Sequence, residues 1–172
     1  MANQTETLKH LEDWLRDAHA MEKQAEQMLQ SQASRIDHYP TLRERIEQHI
    51  VETQDQAKKL EECMTLLGVS TSTMKDTGAQ LMAFGQAVGG MMAGDEVMKG
   101  SLASYSFEHF EIASYKALIQ AAERASKPEI AAICKGILQE EEAMAKWLAE
   151  HLDETTRKFL ERAESDDLTA KK

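Results

Sequence analysis

Four stretches of this chain repeat apolar residues in alternating steps of three and four, and each carries a glutamate on or beside the apolar seam. Steps of three and four keep side chains on one face of a helix. The first seam reads Leu8, Leu11, Leu15, Ala18, Ala25, Leu29 and Ile36, with Glu22 at the position between Ala18 and Ala25. It predicts a helix over residues 4–36. Asn3 is placed to cap it with Glu6 three residues on, and Asp37-His38-Tyr39-Pro40 ends it, because proline cannot continue a helix.

A second helix is expected over 41–67, opened by a capping box of Thr41 and Glu44 and stopped by Gly68. Its seam reads Ile46, Ile50, Thr53, Ala57, Leu60, Met64 and Leu67. The loop of about four residues makes the first two helices an antiparallel hairpin. Third and fourth helices are expected over 102–126 and 128–163. Pro128 suits the first turn of the fourth, and a bend is expected near Asp153-Glu154-Thr155-Thr156. Residues 69–101 carry Gly78, Gly85, Gly89 and Gly90 among methionines and are read as a long crossover with a short, weak helix over 78–93. Met82, Met91 and Met92 are read there as soft core filling. The expected architecture is all-α, a four-helix bundle of the crossover type. It forms one domain over 1–165 with a disordered tail over 166–172.

Composition removes other classes. The chain has 172 residues, 20 basic against 30 acidic, and a net charge of −10, which opposes binding to phosphate backbones and anionic membranes. No run approaches 18 apolar residues, and Met1–Glu6 lacks a basic stretch followed by an apolar one, so neither a span nor a signal peptide is expected. Cys63 and Cys134 lie in helical patterns, as reduced core thiols of a cytoplasmic protein. Glycine-rich phosphate loops, Ser-His-Asp order and Cys-x-x-Cys are absent.

The acids on the seams carry the chemistry. Glu52 flanks Thr53 on the second helix and shares a stripe with His49 and Gln56, and Asp55 can reach the same side. On the third helix Glu108 and Glu111 project together, with Tyr115 one turn further on; on the fourth the seam passes through Glu141. Glu22 lies 14 residues from Ile36 and Glu52 11 from Thr41; Glu111 lies 15 from Ser126 and Glu141 12 from Glu129. At about 1.5 Å per residue each pair matches within about one turn, so all four helices can place a carboxylate in one layer. Glu140 and Glu142 are read as solvent-facing, and His109 as a packing or outer residue because it points away from Glu108. Trp14 and Trp147 are read as bundle-edge or dimer contacts.

Unpaired buried carboxylates cost several kcal/mol each, and no lysine or arginine lies on the seams. Divalent cations are the natural counter-charge, and sites rich in carboxylate suit iron or manganese. Paired-metal bundles use a Glu from two helices and Glu-x-x-His from the other two. After Glu52 the options here are Asp55 or Gln56, and after Glu141 they are Met144 or Ala145. The competing reading is a polar layer with shifted pKa values and buried water.

The chain resembles the YciE/YciF stress-protein family of the ferritin-like superfamily through four segments. They are Ala20-Met21-Glu22-Lys23-Gln24, His49-Ile50-Val51-Glu52-Thr53, Phe107-Glu108-His109-Phe110-Glu111-Ile112-Ala113-Ser114-Tyr115 and Leu138-Gln139-Glu140-Glu141. The resemblance implies a ferritin-like, cytoplasmic, homodimeric bacterial stress protein with a carboxylate-bridged centre of two iron or manganese ions. Carried over residue by residue, the ligands are Glu22, Glu52, Glu108, Glu111 and Glu141. The chain departs from the family at Ala145, where an acid is common, and at Gln56, where relatives carry histidine. The two functions it leaves open are handling of iron, oxygen or peroxide, and a non-catalytic structural or partner-binding role with a degenerate site.

Overall fold

The computed structural model describes residues 2–69 and 96–165, with side chains from residue 5, and these form four helices. They are α1 (Ala2–Ala33), α2 (Pro40–Leu66), α3 (Glu96–Arg124) and α4 (Pro128–Glu164). The expected crossover helix over 78–93 and the tail over 166–172 lie outside the described residues.

α1 packs along α2 and α3 along α4, and the hairpins join through α1 on α3 and α2 on α4. The direction of each helix follows from the two apolar clusters that fill the bundle. One cluster takes Leu11 and Leu15 from the first half of α1, Leu60 and Met64 from the end of α2, Leu118 and Ala122 from the end of α3, and Ile130 and Ile137 from the start of α4. The other takes Leu29 and Ala33, Leu42 and Ile46, Val97, Met144 and Leu148. The turn of the first hairpin therefore lies at one end of the bundle and that of the second at the other. α2 ends at the first cluster while α3 begins at the second, so these two helix ends lie at opposite ends of the bundle. That placement of the helix ends is compatible with the crossover expected over 69–101, of which residues 70–95 lie outside the described residues.

Several boundaries move. α1 stops at Ala33, although Ile36 beyond the turn remains buried. α2 starts at Pro40, with Tyr39 at the cap and no side-chain cap hydrogen bond, so the Thr41–Glu44 capping box does not open it. The fixed φ of proline at the first helical position does that work. α2 ends at Leu66, and Gly68 just beyond it, with φ +73°, allows the amides of Gly68 and Val69 to reach the carbonyls of Thr65 and Met64 at 3.0 Å each. α3 begins at Glu96 and not at residue 102: Gly100 and Ser101 lie inside it. Packing on α1 overrides the weak propensity there. A Cβ on Gly100 would lie 2.9 Å from Gln32 Nε2, and Ser104 Oγ donates to Gln32 Oε1 at 2.8 Å. Arg35 also reaches Glu96 at 2.9 Å. α4 runs without a break through Asp153–Thr156. No helix among the described residues is long and apolar enough to cross a membrane.

Candidate metal centre

Between the two apolar clusters lies a layer of polar side chains drawn from all four helices. Glu22 of α1, His49, Thr53 and Gln56 of α2, Glu108 and Glu111 of α3 and Glu141 of α4 are all buried. Buried helix positions are ordinarily apolar, and acids are almost never fully enclosed without a partner. Among the described residues, five carboxylate oxygens in this layer nonetheless have no hydrogen-bond partner, although two of them stand at ion-pair distance from His49: Oε2 of Glu22, Oε2 of Glu108, Oε1 of Glu111 and both oxygens of Glu141.

Among the described residues, His49, Glu108 and Glu141 form a group able to hold a metal ion, with ligand atoms all within 4.8 Å of one another. His49 Nε2 stands 3.4 Å from Glu108 Oε2 and 3.6 Å from Glu141 Oε2. Glu22 and Glu111 complete the layer, and the Tyr115 hydroxyl donates to Glu22 Oε1. A crevice between α1 and α3, lined by Ala25, Met28, Leu29, Ser104 and Phe107, reaches Glu108.

The electrostatics record the enclosure. Burial pushes the Glu22 carboxyl up to about 8, against a smaller downward pull from the Tyr115 hydroxyl and His49. Burial first, and then the neighbouring carboxylates, push Glu111 and Glu141 well above the ordinary range. Burial and the charge of Glu22 do the same to the Tyr115 phenol. Burial alone would lower His49, but Glu108 and Glu52 outweigh it and hold the imidazole up at about 9. Without a bound metal ion, these shifts keep protons on the layer at neutral pH.

Of the five acids expected as ligands, Glu22, Glu108, Glu111 and Glu141 come together in this layer. Glu52 stands at its rim, bonded to Arg45, Gln48 and His49, and its place in the layer is taken by His49. Three- and four-residue steps from Ile46 run through His49, Thr53, Gln56, Leu60 and Cys63, all buried, whereas Ile50 is only half-buried. That alternative register of the α2 seam was the available signal for His49. Arg45 supplies a cation that the seams themselves lack, because a long side chain beside the seam can reach what its own position does not.

Gln56 Nε2 donates to Glu140 Oε2 at 2.9 Å, and its Oε1 is buried without a hydrogen-bond partner. Glu140 is thus turned back toward the bundle, also meeting Lys59 at 3.1 Å, whereas Glu142 is exposed beside Lys116. Asp55 is exposed and paired with Lys59, and His109 is exposed against the edge of Tyr105. Trp14 is 41% exposed, and Trp147 stacks on His151. Cys63 and Cys134 are free, buried neighbours; their contact and the burial push the Cys134 thiol up.

The donor set, one imidazole and clustered carboxylates with orphaned oxygens, fits a hard or borderline divalent cation. The model for the domain of unknown function DUF892 matches residues 6–161. The chain belongs to the DUF892 family. A protein from Xanthomonas campestris pv. campestris has a similar structure, with 48% identity, a TM-score of 0.79, and coverage of 92% of this chain and 99% of that one. The Escherichia coli stress protein YciF is 21% identical with a TM-score of 0.76, covering 88% of this chain and 98% of its own. A ferritin-like, diiron-carboxylate protein from Bacillus anthracis is 19% identical with a TM-score of 0.70, covering 85% and 97%. The last two likenesses are of fold: this is a ferritin-like four-helix bundle.

Proposed function

We propose that this DUF892 protein is a stress-response member of the ferritin-like YciE/YciF group, YciE-like in its motifs, that binds a pair of iron or manganese ions in its buried layer. The observation that carries the reading is the set of five enclosed carboxylate oxygens without hydrogen-bond partners. An apolar layer would be cheaper, since replacing buried charges by packed hydrophobic residues is often neutral or stabilising. Four buried acids gathered around one buried imidazole therefore call for further counter-charge.

His49 through Nε2, with Glu108 and Glu141, would hold one ion, and Glu22 and Glu111 would offer carboxylates to a second. Tyr115 holds one oxygen of Glu22 in place through its hydroxyl. Such ions would supply counter-charge and, when redox-active, exchange electrons in iron, oxygen or peroxide chemistry. The apolar clusters on both sides keep bulk water from the layer. A cytoplasmic homodimer is the setting we assign to it, from the sequence resemblance. YciF, which shares the fold, is described as a stress protein.

Metal analysis of protein purified without chelator, followed by anaerobic Fe(II) and Mn(II) titration, tests the proposal. Uptake should approach about two equivalents, with protons released as the carboxyls ionise. Less than about 0.3 equivalents of any transition metal, with none taken up on addition, overturns it.

A further inference from the structure

Glu52 differs from the other acids of the site in one respect: its oxygens are already occupied. Arg45 Nη1 and Nη2 donate to Glu52 Oε2 at 3.0 and 3.1 Å, and His49 Nδ1 meets the same oxygen at 2.7 Å. Gln48 Nε2 donates to Oε1 at 3.0 Å. These partners precede Glu52 by seven, three and four residues, so all lie on one stripe of α2 and are set by the helix itself. Exposure falls stepwise inward: the side chains of Glu52, Arg45 and His49 are 24%, 12% and 1% accessible.

We propose that Glu52 is a positioning residue for His49, clamped by Arg45 and Gln48, and not itself a metal ligand. The inference rests on the metal reading above. An imidazole can turn either nitrogen inward. With Nδ1 held by Glu52, the ring is fixed with Nε2 toward Glu108 and Glu141, 3.4 and 3.6 Å away. A carboxylate behind a ligating histidine fixes its orientation and strengthens it as a donor. Arg45 completes the device. Its guanidinium balances the charge of Glu52 and holds it at the rim, so that it does not swing inward as a further ligand.

The test measures Mn(II) and Co(II) affinity by chelator competition for the unsubstituted protein, E52A and R45Q, together with the ligand count of bound Co(II) by X-ray absorption. Positioning predicts that E52A weakens binding roughly 10- to 100-fold with an unchanged count of protein ligands. R45Q should weaken it in the same direction by less. The imidazole nitrogen coupling to bound Mn(II) should persist in both variants and vanish in H49Q. Loss of an oxygen ligand in E52A makes Glu52 a ligand and overturns the proposal. Tighter binding by R45Q overturns it too, since Arg45 would then compete with the metal for Glu52. A lowered thermal midpoint with unchanged affinity reduces the cluster to a structural one and also overturns it. Absence of binding in the unsubstituted protein, by contrast, removes the metal reading and this proposal together. Because R45Q alters only a half-buried rim residue, it keeps the test open should E52A fail to fold.

Discussion

Glu141 stands on the α4 seam between Ile137 and Met144, fully enclosed, with neither oxygen hydrogen-bonded among the described residues and His49 Nε2 3.6 Å from one of them. Its worth changes sign with the cation. In metal-free protein it adds a charge or a trapped proton to a layer that already holds Glu22, Glu108 and Glu111, so E141Q should raise stability by about 1–3 kcal/mol at pH 8. In Mn(II)-loaded protein the same change removes a ligand and should lower stability, by a margin that grows with the metal concentration. Urea denaturation midpoints with and without Mn(II) check the crossing. A variant that is more stable in both conditions would show that the layer gains nothing from metal. Position 141 was legible because a lone acid interrupts an apolar repeat. Glu52 was not legible in the same way: it flanks the seam, and only the direction of its hydrogen bonds shows that it faces Arg45 and His49.

At the scale of the helices, local chemistry and packing pull in different directions at identifiable places. α3 ends with Ser126 in the left-handed region at φ +57°, where the amides of Ser126 and Lys127 close on Glu123 and Ala122 at 3.1 and 2.9 Å. A glycine is the residue that suits this turn, as Gly68 does at the end of α2. S126G should therefore stabilise the protein by about 1 kcal/mol, measured as an upward shift of the thermal midpoint. Gly136 offers the complementary case inside α4: it is exposed, and an added Cβ meets nothing within 4 Å. G136A should gain about 0.5–1 kcal/mol from helix propensity. G100A should gain less or lose, because its Cβ displaces the Gln32 amide that accepts from Ser104. Comparing the two variants in one denaturation series separates propensity from packing. Gly100 also shows why the sequence places the start of α3 too late: the glycine looks like a stop until α1 is seen against it.

For the molecule as a whole, the buried layer sets the pH dependence. Glu22 ionises near 4.5 when exposed and at about 8 in the fold, so between those values the folded state holds more protons than the unfolded one. Its contribution is fully present below pH 4.5 and is lost as pH rises through 8. His49 acts with the same sign, from an ordinary 6.5 to about 9 in the fold. Its stabilisation is complete below pH 6.5 and gone above 9. Metal-free protein should therefore lose several kcal/mol of stability from pH 5 to pH 9, seen as a falling urea midpoint. Metal binding needs deprotonated ligands, so saturating Mn(II) should flatten or reverse that slope. A metal-free midpoint that rises over this range would contradict the enclosure of the layer. The relative placement of the hairpins belongs to this scale too: their turns lie at opposite ends, which only the placement of the apolar clusters reveals.

The sequence alone determined that the chain is all-helical, that two hairpins are joined by a long connection, and that acids interrupt the seams at one level. Each follows from interactions a few residues apart: helical periodicity, glycine and proline at the ends, and counting along a helix. The tertiary structure decided which α2 residue enters the layer, how far α3 extends, and where the counter-charge of Glu52 comes from. Those depend on side chains from neighbouring helices and on the reach of Arg45 along its own, and a seam read one helix at a time contains neither.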